Sequence, residues 1–144
     1  MIKIYYSPPN QLEISGSVNA FQMVRWMLQN LATDQGYKMV EISANTVSNP
    51  APYDQALSKL VIRVGQGLTR ITVQNDCCLQ IEGAPDNLDR LASFFDFVHD
   101  APDEQHQHYE YYEGNEHIAP ESIPVVVHLT PSERKCARPL HLKK

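Results

Sequence analysis

Two histidines one residue apart, followed by a third, are the residues of this sequence best suited to chemistry. His106 and His108 lie in a strand-like stretch, so both imidazoles fall on one face. Glu110 continues that face, and His117 follows after a loop. Imidazole and carboxylate are common zinc ligands, so one interpretation is a metal site formed by His106, His108 and His117. The other interpretation is an exposed polar strand face.

Three tyrosines among acidic residues offer a second possibility, a surface that binds protein. Tyrosine is a common anchor at protein interfaces because it is large, rigid and able to hydrogen-bond. Readers of nucleic acid also place tyrosines on strands, but they interleave them with lysine and arginine, which are missing here. The residues predicted to contact a partner are Asp86, Asp89, Tyr109, Tyr111, Tyr112 and Glu113.

The sequence offers little for catalysis. It contains no recognisable nucleophile–base pair, no paired carboxylates in an apolar setting and no cofactor fingerprint. Gly16-Ser17 lacks the longer glycine pattern and the lysine of a phosphate loop, so Ser17 is interpreted as a helix N-cap. We therefore predict a protein that is not an enzyme, with no catalytic residue and no cofactor.

The elements that must position these residues follow one order twice: strand, strand, helix, strand, strand. Alternating apolar residues predict the strands, and apolar spacing of three and four residues predicts the helices. Ser17 is placed to cap the first helix, and Pro85 is placed at the first position of the second. The predicted strands are 2–6, 11–15, 38–44, 57–64, 69–75, 79–82, 107–112 and 123–129, and the predicted helices are 17–33 and 85–99.

We interpret this order as an internal repeat, with convergent patterning of two similar helices as the alternative. Leu12-Glu-Ile-Ser-Gly16 matches Leu79-Gln-Ile-Glu-Gly83, and the apolar positions of the helices that follow also coincide. The predicted fold is α+β: one domain over 1–130, made of duplicated units at about 1–65 and 68–130. These units are expected to form one antiparallel sheet with two helices packed on it. Residues predicted to share the core are Phe21, Val24, Leu28, Leu88, Leu91 and Phe95. Trp26 is expected to flank this core, with exposure for a partner as the alternative.

Charge is distributed unevenly along the 144 residues, which are 42% hydrophobic and carry a net charge of −5. Residues 1–75 hold six basic and four acidic side chains, residues 76–121 one and twelve, and residues 131–144 five and one. The segment charges are therefore +2, −11 and +4, and 131–144 is predicted to be a basic, flexible tail. An acidic body repels nucleic acid and anionic membranes and attracts basic partners.

Compartment is predicted from cysteine usage and from the first residues. Three cysteines make an odd count, which is typical of a reducing environment. The stretch from Met1 to Tyr6 lacks the order of a signal peptide, and no apolar run reaches the length of a membrane span. These observations predict a cytoplasmic protein.

The second unit resembles immunity-protein family 32 of bacterial polymorphic toxin systems. The resemblance covers about residues 69–130 and is carried by Leu79-Gln-Ile-Glu-Gly83, the helix through Leu91 and Phe95, His106-Gln-His108-Tyr-Glu-Tyr111, and Ser122-Ile-Pro-Val-Val-Val-His128. It implies a cytoplasmic, non-catalytic protein that binds and neutralises a cognate toxin, and immunity proteins against nucleases are often acidic. The alternative is a small metal-binding domain or metal-dependent enzyme that uses the three histidines. The sequence does not determine the oligomeric state.

Overall fold

A computed structural model describes residues 1–33, 36–46, 49–97 and 104–131 of the chain. The predicted tail lies outside these residues, apart from Pro131. Strands are β1 (Lys3–Ser7), β2 (Gln11–Gly16), β3 (Met39–Ser43), β4 (Gln55–Leu57), β5 (Lys59–Val64), β6 (Arg70–Gln74), β7 (Cys78–Gly83), β8 (His106–Tyr109) and β9 (Val125–Leu129). Helices are α1 (Val18–Ala32) and α2 (Pro85–Ala92), and a 3₁₀ turn at Ser93–Phe95 extends α2.

The α+β class is confirmed, but the single antiparallel sheet is wrong. Two sheets form, with strand orders β4-β1-β2-β9-β8 (sheet 1) and β3-β5-β7-β6 (sheet 2). Each sheet contains one parallel pair, β2 with β9 and β5 with β7. The reason is that each sheet combines strands from both halves. In sheet 1, β1 and β2 of the first half join β8 and β9 of the second, and in sheet 2, β3 and β5 of the first half join β6 and β7 of the second. Local alternation predicts strands but carries no information about which distant strand becomes the neighbour.

The two halves have equivalent strand registers. A residue of β1 or β2 and the residue 67 positions later in β6 or β7 pair with corresponding residues of their neighbouring strands, in both the antiparallel and the parallel pairs. Single-residue bridges, Ile2 with Ala44 and Thr69 with Ile118, also connect the sheets. Duplication itself stays a prediction. The matched pairs are Ile4–Ile14 with Ile71–Ile81, and Ile14–Val127 with Ile81–Ile62.

The core is shared by both halves. The six predicted core residues are all buried and belong to one hydrophobic cluster, which confirms that prediction. Phe21 of α1 contacts Phe95 and Phe97, with ring centroids 5.4 and 5.5 Å apart, so the first helix packs directly on the second half. Such aromatic contacts add to the free energy gained from burial.

Helix α1 begins and ends close to the predicted positions, whereas α2 is shorter. Ser17 Oγ accepts a hydrogen bond from the amide of Ala20 (3.2 Å), as expected for an N-cap. Helix α2 ends at Ala92, seven residues before the predicted end at His99, which lies outside the described residues. Trp26 is 61% exposed, so its expected place beside the core is wrong. At 100° per residue, it lies on the side of α1 opposite the buried stripe through Phe21, Val24 and Leu28.

Candidate functional site

The most enclosed group of polar side chains lies on the face of sheet 1 opposite to the core. Along β2, Leu12 and Ile14 point into the core, so Glu13 and Ser15 point to the other face. The parallel pairing of β2 with β9 brings His128 beside them. The side chains of Glu13 and His128 are only 15% and 16% exposed.

Glu13 accepts three hydrogen bonds. The Tyr53 hydroxyl donates to Oε1 (3.0 Å), the Ser15 hydroxyl donates to Oε2, and His128 Nδ1 lies 3.1 Å from Oε2. Burial alone would raise the pKa of Glu13, but these bonds outweigh burial and lower it. Burial and the bond to Glu13 together raise the pKa of Tyr53 to about 12. Glu13 is therefore held as a carboxylate beside a neutral phenol.

His128 is bound on both ring nitrogens. Its Nε2 lies 2.7 Å from Oε2 of Glu104, opposite the contact with Glu13. Ionised carboxylates only accept hydrogen bonds, so the two contacts together favour the doubly protonated imidazolium. Burial alone would lower the pKa of His128, but the bonds to Glu13 and Glu104 outweigh burial and raise it. We call Glu13, Ser15, Tyr53, Glu104 and His128 the His128 cluster.

An aromatic stack and a cavity border the cluster. The rings of His106 and His128 are stacked, with centroids 4.5 Å apart and planes 3° from parallel. Tyr5 stacks on Tyr53 at 5.5 Å. A cavity of about 420 Å³ opens beside the cluster, and its lining includes Lys3 as well as Glu13 and His128.

The His128 cluster has the residue types of a hydrolase site but not the required connections. Nucleophilic catalysis needs the serine hydroxyl to give its proton to the imidazole. Here the Ser15 hydroxyl donates to Glu13, and both nitrogens of His128 face carboxylates and not the serine. The hydrogen bonds instead hold the charged side chains of Glu13 and His128 in place, and they join β2, β9 and the segment before β4.

The predicted metal histidines are not brought together. His106 and His108 are exposed on β8, with ring centroids 6.4 Å apart. His117 lies at the junction of the sheets, where its carbonyl accepts the amide of Thr69 (2.8 Å). The metal-binding nitrogens of parallel, stacked rings such as His106 and His128 cannot converge on one ion, because their lone pairs lie in the ring planes. Within the described ranges, no group of three or more His, Cys, Asp or Glu residues is placed to hold a metal ion.

Most of the predicted partner residues lie on the surface, but Tyr109 does not. Asp86, Asp89 and Glu113 are exposed, and Tyr112 is 65% exposed. Tyr109 is 2% exposed and packs edge to face on Phe94 at 4.7 Å, so it belongs to the core. It pairs with the inward residue Val125, and its strand position dictates this orientation. Tyr111 is half-buried against the core.

A second surface, which sequence reasoning missed, lies between α1 and β3. It contains all four methionines of the chain and its single tryptophan. Trp26, Met23 and Tyr37 are 61%, 55% and 66% exposed. Two cavities of about 280 and 600 Å³ lie along it, and both are lined in part by Met27. We call Met1, Met23, Trp26, Met27, Tyr37 and Met39 the methionine face.

In the second half, aromatic side chains fill the space that corresponds to the groove between α1 and β3 of the first half. The positions equivalent to Met27 and Ile42, 67 residues on, are Phe94 and Tyr109. Those two aromatic rings meet between the second helix and its edge strand. In the first half, a methionine and an isoleucine leave the space between α1 and β3 open. The groove thus follows from a difference in side-chain volume at equivalent positions.

No family model, curated protein or solved structure matches this chain. The resemblance to immunity-protein family 32 therefore stays a prediction. Among the helices of the described residues, none is both long and apolar enough to cross a membrane.

Proposed function

We propose that this protein is a non-catalytic binding protein, an immunity protein that neutralises a basic toxin by direct contact. The observation that carries the proposal is the methionine face, where Met23, Trp26 and Tyr37 expose apolar side chains beside two cavities. Exposed apolar patches of this kind mark interaction sites, because their contact with water is unfavourable until a partner covers them. The resemblance over residues 69–130 supplies the toxin as the class of partner.

The side chains of the methionine face suit protein binding in particular. Methionine has three rotatable bonds and a polarisable sulfur, so it adapts to the shape of a partner. Trp26 and Tyr37 are large and rigid, and such residues carry most of the binding free energy at protein interfaces. The adjoining cavities, of about 280 and 600 Å³, would receive side chains of the partner.

Charge supports a basic partner. Twelve acidic and one basic side chain fall within residues 76–121, and Asp86, Asp89 and Glu113 are exposed. A negative field speeds the encounter with a positively charged protein and adds specificity. It disfavours nucleic acid and anionic membranes as partners of this protein. A nuclease toxin presents a basic surface to its substrate, and covering that surface would block activity without chemistry by the immunity protein.

The test is co-expression in a bacterial host with the toxin domain encoded beside the gene for this chain. The wild type is expected to restore growth and to form a complex with the purified toxin domain. Met23→Ala with Trp26→Ala should weaken binding at least about tenfold, the effect of losing one strong anchor. Gln11→Ala with Gln74→Ala, exposed residues on β2 and β6 and outside the methionine face, is the control and should bind normally.

Two results would contradict the proposal. The first is failure of the folded wild type to bind the toxin domain or to protect the host. The second is equal affinity of the two double variants, which would remove the methionine face from the interface. The second result would leave the acidic surface as the site of contact.

A further inference from the structure

We propose that protonated His128 holds the turn before β8, at Glu104 and Gln105, on sheet 1, and that this turn is released when His128 loses its proton. We call this pH-dependent contact between His128 and Glu104 the latch. This inference does not rest on the proposed function, because the latch lies within one chain and its test needs no partner. It concerns strand β8, which leads directly into the acidic and tyrosine-rich segment 110–116.

The geometry ties this turn to β9 through three contacts. The amide of Glu104 donates to the carbonyl of Leu129 (2.9 Å), and the amide of Leu129 donates to the carbonyl of Gln105 (2.8 Å). The third contact is the 2.7 Å bond between Glu104 and His128. β8 has only four residues and, among the described strands, pairs with β9 alone.

Glu104 has a backbone conformation that needs such support. Its φ is 73°, in the left-handed region that residues other than glycine rarely adopt. Outliers of this kind persist where surrounding contacts hold them. Here the amide and the side chain of Glu104 are bound to two consecutive residues of β9, His128 and Leu129. Losing the side-chain bond leaves the turn held by the backbone alone.

The proton on His128 decides which carboxylate stays bound. A neutral imidazole has one N–H and therefore donates to one carboxylate, while its bare nitrogen faces the other. Glu13 is 15% exposed and holds two further hydrogen bonds, whereas the Glu104 side chain is 65% exposed. Water solvates Glu104 far better than Glu13, so Glu104 is the group that leaves.

Other polar groups around the ring also influence this proton. Lys3 is the one cation among them, and its charge opposes that of the imidazolium. Two carboxylates directly on the ring nitrogens outweigh it, so the latch is expected to open above the ordinary histidine value of 6.5. The groups facing His128 or its cavity are Lys3 and Tyr5 of β1, Glu13 and Ser15 of β2, Tyr53 before β4, Glu104, His106 of β8 and Thr130.

Amide hydrogen exchange measures the latch directly, and the second sheet supplies an internal control. The bond from the Leu129 amide to Gln105 has its equivalent in the bond from the Val64 amide to Lys38 (2.8 Å). Arg63 stands at the position equivalent to His128 and keeps its charge across the pH range used. Protection factors, corrected for the intrinsic rate at each pH, are compared at pH 6.0 and pH 8.5.

In the wild type, protection of the Leu129 amide should fall about tenfold at the higher pH, the scale of one hydrogen bond to a charged group. Protection of Val64 should change little. Glu104→Gln should remove the pH response, because an amide can accept from the protonated ring or donate to the neutral one. Glu110→Gln removes the same charge from an exposed residue nearby and should behave as the wild type.

Three outcomes would overturn the latch. One is equal protection of Leu129 at both pH values in the wild type. Another is an equal fall at Val64, which would indicate global loosening. The last is an unchanged pH response in Glu104→Gln. A parallel NMR titration of the His128 ring checks that this histidine loses its proton between the two pH values.

Discussion

Glu13 of β2 and His128 of β9 form an ion pair across the parallel junction between the two halves of the chain, with Oε2 and Nδ1 3.1 Å apart. The positions equivalent to these residues in sheet 2 are Gln80 and Arg63. Equivalent positions thus carry a glutamate and a histidine in sheet 1 and a glutamine and an arginine in sheet 2. Because both partners of the pair are largely buried, its protonation is coupled to folding.

Stability should therefore pass through a maximum in mildly acidic solution. Glu13 has a lowered pKa, so its contribution is present above its ordinary 4.5 and is lost as pH falls through the folded value. His128 has a raised pKa, so its contribution is present below 6.5 and is lost as pH rises through the folded value. The pair should contribute most between about pH 4.5 and 6.5.

Urea unfolding of the wild type and of His128→Gln checks this expectation. The difference in free energy of unfolding should be about 1.5–3 kcal/mol at pH 5.5, typical for hydrogen bonds to charged groups. It should shrink at pH 8.5, where a larger fraction of the wild-type rings is neutral. Arg63→Gln is the matched control in sheet 2, and its effect should not vary between pH 5.5 and 8.5. If the free energies of unfolding of the wild type and His128→Gln differ by the same amount at both pH values, the Glu13–His128 pair does not contribute to the pH dependence of stability.

The shared core predicts one cooperative unfolding transition and a large cost for truncating it. Leu91 of α2 is 2% exposed within the single hydrophobic cluster. Leu91→Ala should lower the free energy of unfolding by about 2–5 kcal/mol, because a cavity remains where the side chain was. Asp89→Ala, an exposed substitution on the same helix, should stay within about 0.5 kcal/mol. Two separate transitions, one for each half, would contradict the shared core.

Local patterns predicted the elements, and the pairing of distant strands lay beyond them. Ser17 and Pro85 marked the start of both helices correctly, since those signals act within one or two turns, whereas the end of α2 was predicted seven residues too late. The third strand of the second half was placed by alternation at 107–112, and β8 occupies His106–Tyr109. Sheet order depends on contacts across about 115 residues, such as Ile14 with Val127, and one sequence does not reveal them.

The candidate site was missed for the same reason. His128 stands alone in the sequence, and its partners Glu13 and Glu104 lie far away along the chain. Alternation on β2 and β9 does place Glu13 and His128 outside the core, and this signal was available. The methionine face was hidden differently: Met23 and Trp26 look like core residues by type, and only their angle around α1 places them outside.

Tyr109 in the core and Tyr53 in the His128 cluster should respond oppositely to loss of the hydroxyl. Burial raises the pKa of Tyr109, and the nearby Thr69 hydroxyl offsets part of the rise. Within the described residues, however, the hydroxyls of Tyr109 and Thr69 have no partner with hydrogen-bond geometry. Tyr109→Phe should therefore leave stability unchanged or raise it by up to about 1 kcal/mol. Tyr53→Phe removes the 3.0 Å bond to Glu13 and should cost about 1 kcal/mol. Thermal unfolding of both variants, side by side, distinguishes them, and a larger loss for Tyr109→Phe would show a bond that the structure lacks.

The acidic surface should set the rate at which a basic toxin associates, and the methionine face should set the lifetime of the complex. Asp86, Asp89 and Glu113 are exposed, so their charges act through water and are screened by salt. Neutralising all three (Asp86→Asn, Asp89→Asn and Glu113→Gln), which changes the net charge by +3, should slow association by about tenfold at low salt and leave dissociation nearly unchanged. Stopped-flow mixing with the toxin domain at about 20 and 500 mM salt measures this, since the Debye length shortens over that range. Replacing Asn45, Asn49 and Gln74 by lysine adds charge at exposed sites outside the acidic segment and controls for net charge alone. Equal slowing by the two triple variants would show that overall charge, and not the acidic surface, guides the encounter.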